Sequence, residues 1–111
     1  MTTTIAIPLT KHHQKQFYDA YIACAYWADE DTIDDLMPED EFRARAQLDC
    51  AQFITTNKNT LTAYLLTGRT MEQAGHDFWL TRQGHGAGFW DRGLGIIGEQ
   101  LTRASKCFEE L

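Results

Sequence analysis

A chain of 111 residues is long enough for one domain and too short for two. With 43% hydrophobic and 12% aromatic residues its composition is globular, and no apolar run approaches the ~20 residues of a membrane span. The formal net charge of -6 is concentrated in one base-free run holding Asp29, Glu30, Asp31, Asp34, Asp35, Glu39, Asp40 and Glu41, which argues against a basic nucleic-acid-binding stripe.

Met1 to Thr4 carries no basic region and no signal pattern, so the expected compartment is the cytoplasm, that of a host cell if the chain is phage-encoded. Ile5 to Leu9 is a short apolar lead containing Pro8. Thr10 is a helix cap, and Phe17, Tyr21, Cys24 and Ala28 recur at helical spacing, which predicts a helix to about Trp27. Tyr18, Ile22 and Ala25 widen its apolar face, with Lys11, His12, Lys15 and Asp19 outside. Asp29 to Met37 reads as an acidic connection. Pro38 suits the first turn of a second helix, and Glu39, Asp40 and Glu41 suit the positive end of its dipole.

That helix is predicted to run to about Thr55 on the stripe Phe42, Ala46, Cys50 and Phe53, widened by Leu48, Ala51 and Ile54. Asn57-Lys58-Asn59 breaks it, and a short helix from Thr60 ends at Gly68 in the left-handed conformation. Thr70 and Gln73 form a capping box for a central helix ending near Gln83, in which Gly75 lets a neighbour approach. Leu94, Ile97, Leu101, Ala104 and Phe108 give a last amphipathic helix. The predicted fold is all-α: a compact single-domain bundle of four or five helices with a glycine-rich turn before the last one. Cys24, Cys50 and Cys107 form no Cys-x-x-Cys pair and are expected to be reduced, filling helix faces.

Five of the eight glycines lie between Gly84 and Gly95, flanked by Phe78, Trp79, Phe89 and Trp90. The run from Gly75 to Gly95, GHDFWLTRQGHGAGFWDRGLG, resembles a widespread family of small phage and prophage proteins of unknown function. Phe17, Tyr21, Ala25 and Trp27, with Pro38, Asp49, Cys50 and Phe53, match it more weakly. The resemblance implies a phage origin and supplies no catalytic or binding residues. It also implies a short acidic, glycine-containing tail after the last helix, whereas this sequence ends at Leu111; a function housed in that tail is not expected here.

Within the motif, Gly84, His85, Gly86, Gly88, Phe89, Trp90, Asp91 and Arg92 are read as structural: a tight turn, with His85 donating a hydrogen bond inside it. Asp77 or Asp91 is expected to pair with Arg82 or Arg92, or to cap a helix. Gly88 is expected to need a positive φ. His76, His85, Asp77 and Asp91 are weak candidates for a metal, at a spacing that matches no named metal motif. The turn could offer backbone N–H groups to a phosphate, but it lacks the Lys-Ser/Thr of a P-loop. Arg82, Phe89, Trp90 and Arg92 mix bases with aromatics as single-strand binders do, in an acidic chain. The acidic run is a solvated connection, a calcium loop lacking a ligand at Ile33 and the glycine at Asp34, or a negative surface for a basic partner site. No nucleophile pairing is evident, and no cofactor is expected. The leading expectation is a non-enzymatic phage accessory protein that binds and inhibits a host protein or complex, of the anti-CRISPR or antirestriction type. The alternatives are a metal-binding protein or metal-dependent enzyme using His76 and His85, and a structural protein of the phage life cycle.

Overall fold

The computed structural model describes residues 9–111, so the expectations for Met1–Thr4 and Ile5–Pro8 lie outside the described residues. Helix α1 (Lys11–Leu36) starts where Thr10 accepts a hydrogen bond from the His13 amide, while the His13 ring accepts from the Thr10 amide. It is longer than the sequence pattern predicts, because the acidic stretch is helical too. The helix does not run straight through: Asp29 leaves helical geometry at φ -138°, ψ 28°. This kink rephases the following turns, so that Ile33 is buried against the core and holds the acidic segment down. The expected acidic connection is thereby corrected to a kinked second half of α1.

Pro38 is the cap of α2 (Glu39–Thr56) rather than its first residue, and three acids fill the first turn as the dipole favours. Phe42, Ala46, Cys50, Phe53 and Ile54 are buried on it, but Leu48, expected to widen the stripe, is 72% exposed. A single residue, Asn57, breaks the chain between α2 and α3 (Lys58–Leu66), so α3 begins earlier than Thr60. Gly68 follows α3 at φ 96°. The Thr70–Gln73 capping box opens α4 (Met71–Arg82), as the sequence implies. A 3-10 turn at Phe89–Asp91 precedes α5 (Ile96–Lys106); Leu94 and Phe108 flank α5 and pack on the core. Among the described residues there is no strand, and no helix is long and apolar enough to cross a membrane. The result is an all-α bundle.

The core is aromatic and centred on α4. Phe78 stacks on Phe53 with centroids 4.2 Å apart, and Trp79 meets Tyr21 and Phe42 edge-on at 5.3 and 5.9 Å. Helix α1 lies along α4 more extensively than any other pair of elements. Gly75 permits this: a Cβ there would stand 2.1 Å from the Phe17 carbonyl oxygen, so only glycine allows the two helices this separation.

Candidate functional site

The motif residues are placed by the end of α4. Gly84, at φ 70°, follows the helix in the left-handed conformation. The His85 amide donates to the Leu80 carbonyl and the Gly84 amide to that of Thr81, the paired bonds of a Schellman ending. The chain then folds back along α4. The Thr81 hydroxyl accepts from the Phe89 amide at 3.1 Å, and Asp91 accepts from the Gly88 amide at 3.0 Å, closing the 3-10 turn. Gly88 itself is extended, at φ 161°. The expected positive φ is therefore corrected: glycine is needed because a Cβ would lie 2.2 Å from the Thr81 hydroxyl oxygen. The amides of Gly84, His85, Gly88 and Phe89 are all bonded within the protein, which removes them from any phosphate-cradling role.

Each polar residue of α4's second half finds a distant partner. Asp77, 1% exposed, accepts from Nη2 and Nε of the Arg92 guanidinium at 2.8 and 3.2 Å, one of the pairings expected from sequence. Arg69 approaches the same carboxylate at 3.8 Å while donating to the Tyr64 hydroxyl at 3.0 Å. The Trp79 indole donates to Asp29 at 2.7 Å. Arg82 reaches Asp49 at 2.6 Å, the Tyr21 hydroxyl at 3.1 Å and the Glu109 carbonyl at 2.9 Å, not Asp77 or Asp91. The His85 ring does not bond inside its own turn: its Nε2 lies 2.8 Å from Asp29 Oδ2, on the far helix. That one oxygen thus ties the α1 kink to both Trp79 and His85.

Burial shapes the titration of this interior. It raises the Cys24 thiol to about 12, with the charges of Asp29 and Asp77 adding to the effect. It pushes the Cys50 thiol and the Tyr21 hydroxyl up as well, Arg82 opposing it at both. The hydrogen bonds that Arg92 donates to Asp77 raise Arg92 above its already high value. Cys24 and Cys50 are buried, as expected, whereas Cys107 is exposed.

The four weak metal candidates do not converge. Asp77 is held by arginines, His85 by Asp29 and Asp91 by the Gly88 amide, while His76 packs beside the Trp27 ring at 6.1 Å. Among the described residues no group of three or more His, Cys, Asp or Glu side chains is placed to hold a metal ion. The base-and-aromatic set is also split, since Arg82 and Phe89 are buried and Trp90 is exposed. Compared with protein-family models, with curated proteins and with solved structures, the chain matches none.

The acidic candidates divide in two. Asp29 is turned into the fold. Glu30, Asp31, Asp34 and Asp35 on α1, with Glu39, Asp40 and Glu41 on α2, are exposed around the corner where the two helices join. Of these seven, Glu39 pairs with Arg43 at 3.0 Å, and the other six have no ion-pair partner among the described residues. Nothing in the sequence marks Asp29 apart from its neighbours; the signal would have been the buried Ile33, which shows that the helix continues in a new phase.

Proposed function

We infer that the chain is a non-enzymatic, phage-encoded accessory protein that binds a basic site on a host protein or complex and inhibits it, in the manner of an anti-CRISPR or antirestriction protein. The phage origin rests on the motif resemblance. The observation that carries the binding surface is where the α1 acids stand. Glu30 and Asp34, and Asp31 and Asp35, are like-charged pairs four residues apart, and the last turn of α1 holds no base. Both arrangements oppose helix stability, by a few tenths of a kcal/mol for each pair and a similar amount for acids at the negative end of the dipole. Among the described residues no ion pair offsets them. Local rules broken without an internal gain are the mark of a surface kept for an external contact. Successive carboxylates in each row rise about 6 Å along the axis, a rigid ladder of negative charge for a basic partner. The Glu39–Glu41 acids extend the surface, although the α2 dipole favours them in its own right.

The test starts from a partner captured from infected cells. Its association rate is then measured against ionic strength for the natural chain and for a variant with Glu30→Gln, Asp31→Asn, Asp34→Asn and Asp35→Asn. A contact surface slows the variant's association about tenfold and flattens its salt dependence, with dissociation little changed. Equal rates and equal salt slopes in the two proteins would end the reading. Recovery of the chain within assembled virions, with no host partner, would favour the structural alternative.

A further inference from the structure

We propose that the cleft between α1 and the Asp77 face of α4 binds a small molecule through one terminal oxyanion group, a carboxylate or a phosphate. The cleft has a volume of about 450 Å³, within the range of small-molecule sites. Ala20 and Ala23 of α1 lie on one side, and their small side chains leave the space open. Arg69, Arg92 and His76 line it opposite.

Its chemistry follows from an imbalance around Asp77. Arg92 alone neutralises this buried carboxylate with a two-bond fork, the strongest geometry for such a pair. A second guanidinium, that of Arg69, is nonetheless held beside it, fixed by the Tyr64 hydroxyl and by a cation–π contact, with Cζ 5.6 Å from the Tyr64 ring centroid. Burying one carboxylate does not call for two cations. Arginine has five N–H donors. Nη1 of Arg69 and Nη1 of Arg92 have no hydrogen-bond partner among the described residues, and the two side chains are 24% and 28% exposed. Asp77 and Tyr64 thus act as positioning groups that orient two guanidinium edges at a partly desolvated wall. Oriented donors of this kind recognise planar or tetrahedral oxyanions.

Two further residues narrow the ligand class. Glu72, exposed at the rim, balances the surplus charge of the two arginines, which disfavours a polyanion such as nucleic acid and leaves directional hydrogen bonding to a single charged group. His76 lies against Trp27, which is 77% exposed, so an aromatic shelf borders the anion subsite. An organic body attached to the anion would rest there.

The experiment titrates the full chain with inorganic phosphate and, separately, with acetate, at ionic strength held constant with chloride. Side-chain resonances of Arg69, Arg92 and His76 and the Trp27 indole are followed by NMR. Saturable shifts at these groups are expected with at least one of the two anions; phosphate alone identifies a phosphate-bearing ligand, and acetate alone a carboxylate. Arg69→Gln weakens that binding at least tenfold. Ala20→Leu, which fills the cleft with a good helix former and removes no charge, does the same and keeps the test valid if Arg69→Gln lowers stability. Lys15→Gln, at a separate surface, leaves it unchanged. Failure of both anions to saturate, or the same affinity in Ala20→Leu as in the natural chain, would overturn the proposal.

Discussion

Between Asp77 and Arg92 the polar side chains are mostly turned into the fold, whereas between Glu30 and Glu41 they are turned out. Asp77, Thr81, Arg82 and His85 each bond to a residue on another element or across the turn. Among the described residues the corner acids have no such partner; Glu39 is paired only with Arg43 on its own helix. The two stretches look equally unusual as sequence, one for its glycines and aromatics, the other for its charge. In the fold they do different things. The glycine motif closes the bundle, through hydrogen bonds that must all be made because the groups are buried. The acidic corner contributes little to closure and leaves its charges for the solvent or a partner.

The largest loss of closure is expected at Gly75. Gly75→Val drives a side chain into the Phe17 backbone and forces α1 off α4. A loss of about 3 kcal/mol or more is expected, read from the denaturant midpoint. An unchanged midpoint would mean that the two helices are not in this contact.

Gly88→Ala is expected to cost about 1–3 kcal/mol through collision with the Thr81 hydroxyl. A double-mutant cycle separates this cause from backbone strain. In a Thr81→Ala background the collision is largely gone, so the cost of Gly88→Ala shrinks; a strained φ would leave it the same.

A third measurement probes the closed interior through Cys24, whose thiol is raised first by burial and then by the charges of Asp29 and Asp77. This thiol stays protonated in the folded chain up to about 12, against an ordinary value of 9.0. The folded state therefore binds more protons than the unfolded one between those limits. Its contribution is complete below pH 9.0 and is lost as pH rises toward about 12. Stability is expected to fall by up to about 1 kcal/mol per pH unit from this group. Cys24→Ala should make the decline shallower. An identical pH slope in the variant would remove Cys24 from the account.

The smallest effect is expected at the corner. Asp34→Asn with Asp35→Asn relieves repulsion and the dipole conflict, so stability should rise by about 0.5 kcal/mol. A clear loss in the melting temperature would show that these acids belong to the closure network after all.

Local signals in the sequence were enough to place most of the bundle. Thr10, the Thr70–Gln73 box, Gly68 and the close approach at Gly75 each act within a few residues or through absent volume, and the pattern of large residues exposes them. The kink at Asp29 leaves no local trace in the sequence because the partners that hold its side chain, Trp79 and His85, are 50 and 56 residues away. Asp49 escaped as the partner of Arg82 for the same reason. Asp77–Arg92 was legible because the turn that joins them is short and its glycines announce a reversal. At Gly88 the sequence shows the need for glycine but not its cause, since a collision with Thr81 leaves the same trace as a left-handed φ.

Arg82 also bears on how the protein is made. Its side chain joins Tyr21, Asp49 and the Glu109 carbonyl, across separations of 61, 33 and 27 residues, and the neighbouring Gln83 accepts from the Leu111 amide. During synthesis the first two helices emerge early, with an apolar face that α4 has yet to cover. The final clasp waits for residues 109–111 to leave the ribosome. A helical protein usually folds fast because its contacts are local, but here the step that locks the bundle is among the least local in the chain. Until α4 is in place, the aromatic faces of α1 and α2 lack their cover and Asp29 lacks Trp79 and His85, so the core and the acidic corner reach their final form together.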